Sequence, residues 1–269
     1  MPSFFRSPAW KSLLAVLALP APLSGCHNLL LFPVPLIPAQ MSGAPELRRI
    51  SVETPDKESL DAWYAPPAAG KPLILLFHGV KGRERGYESI VDSIRGDGYG
   101  VFFAAFRGYP QSTGEPSQDG LYTDGLALFD RAKLLCACQI ILVGHSLGSG
   151  VAVHTAAFRR ARAVLLFSPY SSIQDVAQHR FRMKPIGQEA KNGFPSMQWI
   201  GKVTEPLLML HGAKDETIPI RYARKLYDAA NEPKLFKSFS DSGHHLIWET
   251  DLLHWLDRLL QLEMPRGQQ

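Results

Sequence analysis

Gly144-x-Ser146-x-Gly148 lies in "ILVGHSLGSG", directly after a run of apolar residues and directly before a helix-forming stretch. A serine hydroxyl is a poor nucleophile at neutral pH. It acts only when a neighbouring base takes its proton and an acid orients that base. A serine at a strand-to-helix junction, flanked by glycines, sits on a sharp turn that exposes its oxygen, and the glycines remove side chains that would clash there. The chemistry to look for is therefore acyl transfer through Ser146. An acid comes next in "LLMLHGAKDETIP", where Asp215 stands just past an apolar run and Glu216 is the nearest rival. A base comes last in "DSGHHLIW". Either His244 or His245 suits by position. Gly243 supplies the tight turn before His244, whereas His245 adjoins the apolar stretch of the following helix and is expected to start or support it.

The other histidines read as structural. His145 lies inside the serine turn and points aside. His78 and His211 each precede a glycine at a strand end and are expected to fix loops. His154, His179 and His254 have no acid or nucleophile nearby in sequence. No metal-ligand spacing occurs, so no metal and no cofactor are expected.

Something must bring three distant residues to one place. Short solid apolar runs recur at 73–77, 101–105, 140–143, 163–167 and 207–210. Runs of this length fit strands buried on both faces of a parallel sheet. Between them lie helical patterns: Tyr87, Ile90, Val91 and Ile94 share one face, as do Leu121, Gly125, Leu128, Ala132 and Leu135. Before them, "LRRISVE" and "SLDAWYAP" read as an antiparallel pair joined at Thr54-Pro55-Asp56-Lys57. "LFKSF" at 235–239 alternates, as a more exposed last strand would, and Leu252, Leu253, Leu256, Leu259 and Leu260 make a final amphipathic helix. Such alternation predicts an α/β fold, a mostly parallel central sheet with helices on both faces. Catalytic groups of such sheets collect at the carboxyl ends of the strands, which puts Ser146, Asp215 and the histidine loop on one edge. The segment 168–206 interrupts the pattern and is expected to form a small cap.

The chain has 269 residues, 45% of them hydrophobic and 20% charged, which suits one medium domain at 46–265. The formal charge is +4, and about +2 without Arg6 and Lys11. With no basic stripe, no nucleic-acid partner is expected. Arg6 and Lys11, then an apolar run too short to span a bilayer, then Leu23-Ser24-Gly25-Cys26, read as a signal peptide over 1–25 that ends in a lipobox. Lipidation of Cys26 would make the protein an envelope lipoprotein bound to the membrane, and 26–45 its tether. His27, rather than aspartate, after that cysteine favours the outer over the inner membrane. A disulfide between Cys136 and Cys138 would be strained across two positions, though an oxidising envelope would permit it, and the two are expected to be small apolar residues leading into a strand.

Several of these motifs together resemble the α/β-hydrolase superfamily, and within it the depalmitoylases and lysophospholipid lipases of the α/β-hydrolase-domain type. "SLDAWYAPP", "FHGVKG", "FRGYPQSTGEPSQDGLYTD", "GHSLGSGVA", "FSPYSSIQDVA", "LHGAKDETIP" and "SGHHL" follow in the family's order from about Leu30 to Leu262. The resemblance implies a serine hydrolase of acyl esters or thioesters, its substrate a small-molecule or lipid acyl ester. It maps the base onto His244 and the oxyanion donors onto the backbone N–H groups of Val80 and Leu147. This sequence departs from the family at Ala105, where an aspartate is common, and at Asp56-Lys57, where Asp-Gly is usual. Two rival readings stay open: a peptidase or amidase of the same fold, and a non-catalytic envelope lipoprotein on a hydrolase scaffold.

Overall fold

The computed structural model describes residues 47–81, 86–181 and 193–262. The proposed signal peptide, Cys26, the tether and the middle of the 168–206 segment lie outside the described residues.

Eight strands form one sheet: β1 (Arg48–Glu53), β2 (Ser59–Ala65), β3 (Leu73–Phe77), β4 (Gly100–Ala104), β5 (Ile140–His145), β6 (Ala163–Phe167), β7 (Leu207–Gly212) and β8 (Lys234–Phe239). Their order across the sheet is β1-β2-β4-β3-β5-β6-β7-β8. β1 and β2 pair antiparallel, β2 meets β4 antiparallel, and every later pair is parallel. The solid apolar runs are the strands β3 to β7, and every residue in each of them is buried. Side-chain alternation divides them between two cores. Leu73, Leu75 and Phe77 point into one, Ile74 and Leu76 into the other. β8, at the edge, is only half-buried, which is why its sequence alternates.

The helices cover both faces. α1 (Tyr87–Gly96) and the pair α7 (Leu246–Glu249) and α8 (Leu252–Leu260) pack on one. On the other lie α2 (Gln118–Leu135), α3 (Leu147–Phe158), the short α5 (Ser196–Trp199) and α6 (Ile220–Asp228). α4 (Ile173–Phe181) follows β6 in the segment expected to form a cap. Caps fix two of the helix starts: Ser117 accepts from the Gly120 N–H, and Asp251 from those of Leu253 and His254. Among the described residues no helix is long and apolar enough to cross a membrane.

Two local results differ from a plain reading of the chain. Cys136 and Cys138 pack against the core, as expected, but are also joined by a disulfide. The chain turns there from the end of α2 into β5, and the turn holds the two Cα atoms 5.1 Å apart, within the span a disulfide bridges. In the first hairpin, Lys57 occupies the usual glycine position and adopts φ 70°, a left-handed backbone that disfavours side chains. The hairpin is held from outside. Arg107, after β4, donates to both Asp56 oxygens at 2.6 and 3.0 Å, and to the buried Asp124 of α2 at 2.8 Å. Burial pushes Asp124 up to about 6, against the pull of Arg107. Asp56, half exposed, is held well below the usual carboxylate range by its Arg107 hydrogen bonds.

Candidate active site

The turn after β5 carries the first component. Ser146 has φ 52° and ψ −121°, the strained backbone of a nucleophile turn. The structure shows why glycines flank it. A Cβ on Gly144 would stand 2.7 Å from the Gly148 carbonyl oxygen, and one on Gly148 would overlap the carbonyl oxygen of Phe77. The elbow is tied down by the Ser146 N–H donating to Phe167 O at 2.9 Å and by Ser149 Oγ donating to Ser146 O at 2.6 Å.

Parallel pairing of β5, β6, β7 and β8 sets the carboxyl ends of these strands along one edge. There Ser146 Oγ lies 3.0 Å from His244 Nε2, and His244 Nδ1 lies 2.8 Å from Asp215 Oδ2. The other Asp215 oxygen accepts from the N–H groups of Thr217 and Ile218 at 2.9 and 2.8 Å. Burial raises the Asp215 pKa, but the hydrogen bond from His244 and these backbone donors outweigh it, and the net shift is downward. His211, whose Nε2 donates to Ile218 O at 2.8 Å, braces the same loop. Burial holds His211 below the ordinary imidazole value.

His244, not its neighbour, thus meets both partners. His245 serves as the N-cap residue of α7, as expected, and its ring packs tilted against Trp248 at a centroid distance of 5.3 Å. His78 does fix loops: its Nδ1 bonds Gly79 O at 2.7 Å, and its Nε2 accepts from the Phe106 N–H at 3.2 Å.

A narrow cleft of about 40 Å³ opens at Ser146, lined by Gly79, Val80, Lys81, His145, His244, His245 and Trp248. Val80 is held by Tyr109, whose hydroxyl donates to Val80 O at 2.9 Å. Leu147 begins α3, where backbone N–H groups have no partner within the helix. Among the described residues neither the Val80 nor the Leu147 N–H has a hydrogen-bond partner. None of the described residues of 168–206 lines the cleft. The base of that segment supports it instead: Tyr170, fully buried, donates to Leu147 O at 3.0 Å. That Lys81, Trp248 and Tyr87 stand at or beside the site was not read from the sequence. For Tyr87 the one available signal was a hydroxyl at an otherwise apolar helix position.

Comparison with known proteins agrees with this architecture. Residues 68–199 match the family described as serine aminopeptidase, S33. The chain is 30% identical over 214 residues to the uncharacterized protein Rv2307c of Mycobacterium tuberculosis, covering 78% of this chain and 76% of that protein. It is 29% identical over 200 residues to the lysophosphatidylserine lipase ABHD12 of Rattus norvegicus, covering 66% of this chain but only half of the relative's length. The esterase Pf2001 of Pyrococcus furiosus superposes with a TM-score of 0.69 at 17% identity, over 86% of this chain and 98% of that one. Strand order, turn geometry and these likenesses converge: the chain belongs to the α/β-hydrolase superfamily.

Proposed function

We propose that this hydrolase cleaves acyl esters or thioesters through an acyl-enzyme on Ser146. One observation carries the reading: the continuous hydrogen-bond chain from Ser146 Oγ through His244 to Asp215. In the proposed mechanism His244 Nε2 takes the proton as Oγ attacks the acyl carbonyl. Asp215 holds the imidazole by Nδ1 and stabilises the cation that forms. The N–H groups of Val80 and Leu147 receive the oxyanion, each donor contributing about 10²–10³ in rate. His244 then protonates the leaving group, and water, activated by the same base, releases the acid. No cofactor enters these steps.

A lipid acyl ester is the favoured substrate class, supported by the likeness to a lysophosphatidylserine lipase. Lipidation of Cys26, which would place the enzyme on a membrane of the cell envelope, the outer membrane favoured over the inner, is part of the same proposal. The matched family's description raises an aminopeptidase as the second reading. Such an enzyme must hold a substrate α-ammonium. Among the described residues lining the cleft none is a carboxylate that would pair with it.

Turnover of an ester, a thioester and an amide of one acyl group by the full-length protein in detergent tests the choice. Ester or thioester cleavage lost in Ser146→Ala supports the reading. Preferential cleavage of the amide, or of a free amino-terminal peptide, would replace it with the peptidase.

A further inference from the structure

We propose that Tyr87 is a positioning residue for the oxyanion site: its buried hydroxyl joins the turn that presents Val80 to the turn that presents Ser146. The inference rests on the serine-hydrolase reading above. Tyr87 is 0% exposed and opens α1, on the same face as Ile90, Val91 and Ile94. Phenylalanine would fill that apolar site equally well. A buried hydroxyl is costly unless it is hydrogen-bonded, and this one is engaged at both turns. The Gly79 N–H donates to it at 3.2 Å, and its oxygen lies in hydrogen-bond contact with His145 Nδ1 at 2.7 Å. Gly79 immediately precedes Val80, and His145 immediately precedes Ser146.

Three further facts give the bridge its effect. The two turns touch: a Cβ on Gly79 would lie 3.2 Å from His145 Nδ1 and 3.4 Å from Ser146 Cβ. The Tyr87 ring cannot swing away, because Phe103 and Trp248 pack on it at centroid distances of 4.9 and 5.6 Å. Gly79's N–H is committed to the bridge, and the next residue, Val80, lines the cleft. Burial lowers His145 to about 3, so the ring stays neutral beside the hydroxyl. An oxyanion donor acts only on charge that appears in the transition state, so a small displacement costs rate rather than substrate binding.

The test uses the full-length protein in detergent, with a soluble p-nitrophenyl ester for turnover and a phenylboronic acid as tetrahedral analogue. Tyr87→Phe is expected to lower kcat about 10- to 100-fold, with KM changed less than twofold and the boronate Ki raised by a similar factor. His145→Phe, which keeps a ring but removes Nδ1, is expected to give the same pattern if Tyr87→Phe folds poorly. Ile90→Val, on the same helix face, serves as the packing control. A Tyr87→Phe enzyme that loses thermal stability like the control but keeps kcat and Ki would overturn the inference. Failure of the underlying reading looks different: wild-type protein that neither turns over ester nor takes a fluorophosphonate label refutes the hydrolase mechanism, and the inference with it.

Discussion

Gly212 and Gly243 are in backbone contact: a Cβ on Gly212 would overlap the Gly243 carbonyl oxygen and stand 2.7 Å from Ser242 C. This contact brings the loop after β7, which carries Asp215, against the loop after β8, which carries His244. Ala213 N–H donating to Phe239 O at 2.8 Å and Lys214 N–H donating to Ser242 O at 3.0 Å complete the seam. A methyl group here must push the loops apart. Gly212→Ala is expected to cost about 1–3 kcal/mol of stability and to lower kcat by at least about tenfold, since a misplaced base loses orientation. Steady-state kinetics beside thermal denaturation checks it. Unchanged kcat would show that the acid and base do not depend on this seam.

Asp215→Asn leaves the shape of the acid and removes its charge. The Nδ1 proton of His244 then loses its acceptor, and the other tautomer, useless to Ser146, becomes competitive. The expected loss in kcat is about 10⁴, against about 10⁶ for Ser146→Ala. The double variant should be no slower than Ser146→Ala alone, because the residues act as one unit. Additive losses would contradict that.

The pH dependence of stability has a contributor far from the cleft. His154 of α3 stacks on Tyr122 at 3.8 Å and is buried. Burial lowers its pKa from 6.5 to about 4. As pH falls through 6.5 the unfolded chain takes up a proton that the folded chain refuses until about 4. Stability is therefore full above 6.5 and declines as pH falls across that window. His154 contributes at most about 3 kcal/mol to the decline. In His154→Phe, which keeps the stack, urea denaturation between pH 7 and 4 should show a flatter dependence than wild type. Parallel curves would remove His154 as the cause.

Lys57, at φ 70°, stores strain in the first hairpin. Its ion pair with Glu53 is exposed at both ends and offsets little. Lys57→Gly is expected to raise stability by up to about 1 kcal/mol, after the greater chain entropy of glycine is counted. A lower melting temperature would mean that the lysine contacts outweigh the backbone strain.

Much of this was legible in the chain because it rests on local rules. Strands buried on both faces leave solid apolar runs, and the elbow needs glycines next to its serine. The choice between His244 and His245 was only partly legible. Both occupy one loop, and the contact of Gly212 with Gly243 decides which ring reaches Asp215. Tyr87 was hidden because its spacing is that of a core residue and its hydroxyl partners lie 8 and 58 positions away. The Arg107 bridge from Asp56 to Asp124 was hidden for the same reason, spanning 51 positions on one side. The apolar packing of Cys136 and Cys138 was legible, but their disulfide was not, because the turn between α2 and β5 that brings them within bonding range does not show in the spacing.

The most direct test of the central claim is fluorophosphonate labelling of full-length wild type beside Ser146→Ala, His244→Ala and His245→Ala. The account predicts labelling in wild type and His245→Ala, and its loss in Ser146→Ala and His244→Ala. Label retained in Ser146→Ala, or lost in His245→Ala but kept in His244→Ala, would contradict it.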